Sequence, residues 1–351
     1  MPLTVIVGGQ YGSEGKGKVA HWLARERSTS VAVRTGGPNA GHTVEDAPNH
    51  PVVLRQLPTA ALLPDVMCVL GPGSYIDPEL LLDEVSRTGL SADRLLIDPN
   101  ATVITEADKA RERGSTLRAS IGSTQSGTGA AVLKRVERKV STELAKDAVQ
   151  LRRFIAPLAP FLRSQLSAGN KIVLEGTQGF GLSLLHSPSY PYVTSRDTTA
   201  AAFVSEVGLS PLDVDEVVMV LRAFPIRVSG NSGPLPNEIS WEQVTDESDY
   251  PSPIIEYTSV TKTIRRVARF DAEIVRAAIA VNKPTRIVVN HLDYVDFACK
   301  AEGTPTPRVL RFLDQIEESI NVRIDHYGYG PSSLATRPKE LTKARTALSI
   351  T

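Results

Sequence analysis

An α/β fold built around a mostly parallel sheet is what this sequence predicts, on three observations. Short apolar runs, continuous rather than alternating, recur between stretches of helical spacing, the pattern of parallel strands covered on both faces. The first run, Leu3–Val7, passes directly into the glycine-rich GGQYGSEGKGKV at residues 8–19 and then into a helix. A strand, loop and helix in that order present backbone N–H groups and a helix N-terminus to an anion. Finally, 351 residues suffice to bury a large core, and no composition break divides them, so a single domain over 1–351 is expected.

Taken in order, Leu3–Val7 reads as a strand, Lys16–Arg27 as a helix and Ser30–Arg34 as a second strand. Val66–Leu70, the helix Pro78–Thr88 and the strand Arg94–Ile97 follow. Lys171–Leu174 and Glu216–Leu221 read as buried strands. The helix Asp271–Val281 feeds the strand Arg286–Asn290, and the helix Pro307–Ile320 precedes a strand-like Val322–His326. The Pro-, Ser- and Asn-rich stretch 229–253 reads as surface loops. No repeat or low-complexity tract is present.

Composition narrows the function classes. Lys plus Arg and Asp plus Glu are both 39, so no net field would draw the chain to nucleic acid or an anionic membrane. No apolar run approaches the roughly 18 residues of a membrane span, and no secretory n-region opens the sequence, so a cytoplasmic location is expected. The two cysteines, Cys68 and Cys299, lie among apolar neighbours and read as buried, reduced thiols.

The opening loop departs from the phosphate-loop pattern G-x-x-x-x-G-K-[ST] twice. Gln10 stands at its first glycine, and Gly17 follows Lys16 where a metal-binding hydroxyl would stand. Phosphate binding by Gly12, Gly15, Lys16 and Gly17 remains the reading, with any metal held in another way. A second cluster, TGGPNAGHTV at 35–44, sets Asn39, His42 and Thr43 around the close-approach glycine Gly41. His42, neutral or protonated, is placed to act as a general acid on a phosphoryl or carbonyl oxygen.

Together these two stretches resemble the adenylosuccinate synthetase family, whose opening loop reads G-D-E-G-K-G-K and whose second reads G-x-N-A-G-H-T. The likeness continues in order along the chain: IGSTQSGTG at 121–129, EGTQG at 175–179, YPYVTSRDTTA at 190–200, RVSGNSGPLPNE at 227–238, TSVTKTIRRVARFD at 258–271, NHLD at 290–293 and YGYGP at 327–331. The resemblance implies a two-step ligase. The 6-oxygen of a purine monophosphate attacks the γ-phosphate of a nucleoside triphosphate, and the amine of aspartate then displaces the 6-phosphoryl group.

It also implies roles. Ser13, Lys16, His42 and Gln178 are the catalytic set. Asn39, Ser123, Thr124, Gln178 and Thr194, with Ser13, hold the monophosphate, joined by Arg138 reaching from a second copy, which implies a homodimer. Val228, Thr258, Thr261, Arg265 and Arg266 hold L-aspartate, the arginines offering forked donors to a dicarboxylate. His291, Asp293, Gly330 and Pro331 close on the triphosphate's base, while Gly41, His42 and Thr43 reach its phosphates. Magnesium is the implied cofactor, with Ser13 and Gly41 as its protein contacts.

Two departures bear on the substrate. The family carries an aspartate at position 13, as base and magnesium ligand, and a serine hydroxyl is far too weakly acidic to replace it as a base. A smaller, hydrogen-bonding Ser13 leaves room beside purine N1 for a 2-amino group. That pattern resembles the phage branch of the family, which acts on dGMP to make 2-aminoadenine for viral DNA. His291 replaces the lysine of T-K-L-D, and with the phage resemblance this favours ATP or dATP over GTP. Lys16, a water or the phosphates themselves stand as alternatives for removing the N1 proton. The rival readings are a GTP-dependent enzyme acting on IMP, a nucleotide-binding protein without ligase chemistry, and a phosphate-loop kinase or GTPase.

Overall fold

The computed structural model describes residues 3–47, 50–258 and 262–338. Sixteen strands occur among them: β1 (Leu3–Gly8), β2 (Val31–Arg34), β3 (His42–Ala47), β4 (His50–Leu54), β5 (Met67–Leu70), β6 (Tyr75–Ile76), β7 (Leu95–Ile97), β8 (Thr102–Val103), β9 (Ile172–Glu175), β10 (Val214–Arg222), β11 (Ile226–Arg227), β12 (Glu238–Ile239), β13 (Arg266–Ala268), β14 (Arg286–Asn290), β15 (His326–Tyr327) and β16 (Ala335–Thr336). Nine form one sheet in the order β16-β15-β14-β10-β1-β9-β2-β5-β7. Every pairing in it is parallel except β15 with β16.

β1 lies near the middle of the sheet, flanked by β9 and β10, with Val5 opposite Leu174 and Val217. Its six residues are all buried, as a strand covered on both faces requires. Helices supply the cover: Lys16–Glu26 packs Val19, Ala20 and Leu23 against Ile6, Val173, Val218 and Val288. The opposite face packs Leu158, Leu162 and Leu166 of the helix Leu158–Ser167, and Phe203 and Val204 of Ala200–Glu206, into the largest core. Because the strands are parallel, the carboxyl ends of β1, β2, β9, β10 and β14 open along one edge, where α/β sheets place their ligands.

Most predicted elements occur within one or two residues of their expected bounds. Two differ. Val322–His326 is not a strand: Asn321 ends the preceding helix in a left-handed turn, Ile324 N donates to Glu317, and pairing with β14 begins only at His326. The stretch 229–253 is not all loop: β12 joins a small antiparallel sheet with β11 and β13, and Ser240 with Gln243 forms a capping box that starts the helix Trp241–Glu247. Both cysteines are buried and free. No helix among the described residues is long and apolar enough to cross a membrane.

Candidate active site

The carboxyl ends of five strands meet around a cavity of about 420 Å³, a size suited to nucleotide-like ligands. The loop after β1 forms its floor. Gly12, Ser13 and Gly15 all adopt left-handed backbone, at φ 92°, 58° and 91°, a geometry easy for glycine and unusual for serine. Gly15 is the N-cap of Lys16–Glu26, so the free amides of that helix face the cavity. Gly12, Ser13, Gly15, Lys16 and Gly17 all line it.

Beneath this loop lies a carboxylate that the sequence reading did not single out. Glu14 is fully buried; it accepts from Lys16 Nζ at 2.7 Å, Gly12 N at 2.8 Å and Gln10 N at 3.2 Å. Gly179 of the EGTQG stretch packs so closely on Glu14 that any Cβ there would collide with its carboxylate. Glu14 thus fixes both the loop and the Lys16 ammonium. Gln10, at the position where a phosphate loop has its first glycine, bridges to β10 by exchanging hydrogen bonds with the Arg222 backbone.

His42 opens β3, and its Nδ1 is hydrogen-bonded to Glu175 at the end of β9. Glu175 also accepts from Thr59 N at 2.8 Å and Thr59 Oγ1 at 2.9 Å. Burial, with the neighbouring Arg34 guanidinium, pushes the His42 imidazole down to about 4 against the pull of Glu175. The free protein therefore carries His42 neutral at pH 7, and of the two forms expected only this one is populated. Despite its burial, the Glu175 carboxyl is held below the usual range by His42 and Arg34. With Nδ1 tied to Glu175, Nε2 is left for the cavity that His42 lines.

Opposite stands a charged cluster. Arg222, fully buried, donates to the Ser13 carbonyl at 3.2 Å and to Glu256 at 2.6 Å. Burial alone would raise Glu256, but Arg222 above all holds its carboxyl at about 2. Arg265 donates from Nη1 to Ser13 Oγ and from Nε to the Tyr257 carbonyl at 3.0 Å. Beside this cluster, His291, Tyr294, Gly330 and Pro331 also line the cavity. His291, left-handed at φ 62°, is pushed down to about 3 by burial and by Arg222. Lys18 Nζ, lowered by burial to about 8, donates to the Gly330 carbonyl at 3.1 Å.

Most of the expected site residues share this cavity: Asn39, Gly41, Thr43, Thr124, Gln178, Val228, Thr258 and Arg265 join those already placed. Thr194 lines a small adjoining pocket that shares Asn39 and Gln178 with it. Several expectations change. Arg266 is outside the wall, held by Glu238 at 2.8 and 2.6 Å and by the Gly233 carbonyl at 2.7 Å. Asp293 is turned away into the protein, 4% exposed, its oxygens taken by Gly330 N and Tyr250 OH. Ser123 is beside the wall, its hydroxyl accepting from Gln125 N at 3.2 Å. Arg138 is exposed just past the helix Thr128–Val136 and does not enter this chain's cavity. Thr261 lies outside the described residues.

The donor set also constrains a metal. Among the described residues no group of three or more His, Cys, Asp or Glu could hold an ion, and Glu14 is buried beneath the loop, outside the cavity lining. Ser13 Oγ faces the Arg265 guanidinium, a poor setting for a dication, so the expectation of Ser13 as a ligand is withdrawn. What remains, Gly41 among the cavity-lining residues, fits a magnesium ion carried by a nucleotide's own phosphates, which takes few protein ligands.

The family model described as adenylosuccinate synthetase matches residues 5–142 and 136–300. The adenylosuccinate synthetase of Methanocaldococcus jannaschii is 37% identical over 335 residues, covering 93% of this chain and 94% of that protein. That of Archaeoglobus fulgidus is 36% identical over 339 residues, covering 94% and 96%. Among solved structures, cyanophage S-2L succinoaminodeoxyadenylate synthetase (PurZ), bound to dGMP and dATP as an energy donor, superposes with a TM-score of 0.82 at 29% identity over 96% of each chain. Fully ligated adenylosuccinate synthetase from Plasmodium falciparum, 20% identical, shares the fold at a TM-score of 0.84 over 96% of this chain and all of that one. The chain belongs to the adenylosuccinate synthetase family.

Proposed function

We propose that this chain joins L-aspartate to C6 of dGMP at the expense of ATP or dATP. The products are 2-amino-2′-deoxy-N6-succinyladenylate, the nucleoside diphosphate and phosphate. The observation that carries the reading is Ser13: a hydroxyl, held by Arg265, stands in the phosphate loop where the family has a carboxylate. Arg265 takes one lone pair of Ser13 Oγ and leaves the other to accept from the 2-amino group of guanine. The likeness to a synthetase solved with dGMP and dATP supports the same reading.

In the first step the guanine 6-oxygen attacks the γ-phosphorus, the bond to the bridging β-oxygen breaks, and the N1 proton passes to a water or to a phosphate oxygen of the nucleotide. Lys16 and the loop amides stabilise the charge on the transferring group. Lys16 is suited to this because Glu14 fixes its ammonium without removing it from the cavity wall. In the second step the aspartate amine attacks C6 and phosphate departs. His42, neutral before ligands bind, takes up a proton as the anionic phosphoryl group approaches Nε2 and donates it to the departing oxygen, while Glu175 steadies the imidazolium. Gln178 orients the 6-oxygen. Arg265, Thr258 and Val228 line the place for aspartate. Asn39, Thr124 and Thr194 hold the monophosphate, and Arg138 of a second copy completes that site in a two-fold dimer. Magnesium, when bound on the nucleotide's phosphates and the Gly41 carbonyl, supplies charge neutralisation.

A second reading, a GTP-dependent enzyme acting on IMP, draws on the higher identity to archaeal adenylosuccinate synthetases than to the phage protein. Aspartate-dependent phosphate release separates the two: our reading predicts release with dGMP and ATP, the other with IMP and GTP alone.

A further inference from the structure

We propose that Tyr250 sets which purine triphosphate the cavity accepts, by withholding the Asp293 carboxylate from guanine. The inference rests on reading the Lys16 loop as the triphosphate site.

Guanine offers two adjacent donors, N1–H and the 2-amino group, and a carboxylate that presents both oxygens is their natural partner. Adenine offers a single amino donor beside an acceptor nitrogen and has no such need. Asp293 stands in sequence between two cavity-lining residues, His291 and Tyr294, yet is itself outside the lining and 4% exposed. Each of its oxygens already has a donor. Gly330 N donates to Oδ1 at 3.1 Å, and Tyr250 OH donates to Oδ2 at 3.3 Å.

The tyrosine is held where it stands. Its ring packs 4.6 Å from Phe297 and 6.2 Å from Tyr294, and its oxygen accepts from Lys300 Nζ at 2.9 Å. Lys300 lies within electrostatic reach of Asp293 and of Glu45, the carboxylate on β3 that also lines the cavity. Tyr250 and Gly330 hold the carboxylate buried outside the wall, so guanine could reach both oxygens only by drawing Asp293 off the tyrosine, while an adenine base leaves the contact intact. A carboxylate hydrogen bond forgone in this way is worth about a tenfold preference or more.

The test uses the full-length protein, with the kcat/KM ratio for ATP over GTP as readout and direct binding of each triphosphate as control. Tyr250→Phe keeps the ring packing and removes the hydroxyl. Since Lys300 could swing onto the freed carboxylate, Tyr250→Phe/Lys300→Met is measured beside it. The wild type is expected to favour ATP, and the ATP:GTP ratio to fall about tenfold or more in the double variant. An unchanged ratio, or a wild type whose use of GTP collapses selectively in Asp293→Asn, overturns the proposal. If neither triphosphate binds the wild type, the triphosphate site itself is misassigned. If both bind and only the monophosphate proves to be IMP, the Tyr250 proposal stands while the dGMP reading fails.

Discussion

Arg265 donates a hydrogen bond to the hydroxyl of Ser13 across 252 residues of sequence. Ser13 in turn has its carbonyl bound by Arg222 at 3.2 Å. Two guanidinium groups thus bracket one small residue that stands in left-handed backbone on the cavity wall.

Restoring a carboxylate there should reverse the selectivity. In Ser13→Asp the new side chain pairs with Arg265 and fills the space beside purine N1. Turnover of dGMP is expected to fall about a hundredfold or more, since a site that refuses a polar substituent discriminates strongly, and turnover of IMP is expected to rise. Initial rates with each monophosphate check this; undiminished dGMP turnover contradicts it.

The buried Glu14–Lys16 pair, at 2.7 Å with neither side chain more than 2% exposed, should be worth more to folding than to binding alone. Glu14→Ala leaves a buried ammonium without its counter-charge and two loop amides without an acceptor. Breaking such a pair costs about 3–5 kcal/mol. Urea unfolding measures it, and a loss under about 1 kcal/mol would show that water replaces the carboxylate.

Acid should weaken the fold well before its carboxylates titrate. His42 is held at about 4, below its unfolded value of 6.5, by burial. The unfolded chain therefore binds the proton first, and stability is full above pH 6.5 and lost as the pH falls toward 4. His42 alone should remove about 1–2 kcal/mol between pH 6.5 and 5. His291, lowered to about 3, acts in the same direction. Unfolding free energies at pH 7.5, 6 and 5 check the slope; a flat profile over that range contradicts it.

Arg138 is exposed, in left-handed backbone at φ 55°, between the exposed Val136 and Val140. If it reaches a second copy's monophosphate, Arg138→Leu raises that substrate's KM roughly tenfold or more, the worth of a charge-assisted hydrogen bond, with unfolding unchanged. An unaltered KM removes the shared site.

How much of this was legible in the sequence depended on how far apart the partners lie. The buried parallel strands were readable because each is a continuous apolar run, and the helix Pro78–Thr88 because Asp77, Pro78 and Gly89 mark its ends. The helix Trp241–Glu247 carried an equally plain signal in Ser240 and Gln243, hidden by the Pro and Ser around it. Glycine-rich loops named most of the cavity wall, since such loops follow the strand ends. Orientation was another matter. Arg266 is claimed by Glu238, 28 residues away, and Asp293 by Tyr250, 43 residues away, and nothing local announces either contact. Glu14 and Glu175 were overlooked for a similar reason. Each lies inside a quoted motif, but its role exists only once the loop folds over Glu14 or the end of β9 meets the first residue of β3.

The central claim concerns which purine enters the site that Ser13 borders. The most direct measurement is a mass-resolved assay of purified protein with Mg²⁺, aspartate and both ATP and GTP, offering dGMP and IMP in separate reactions. A succinylated product from dGMP, with none from IMP, is the predicted result. Product from IMP alone would contradict it and make the chain an adenylosuccinate synthetase that works with a serine at position 13.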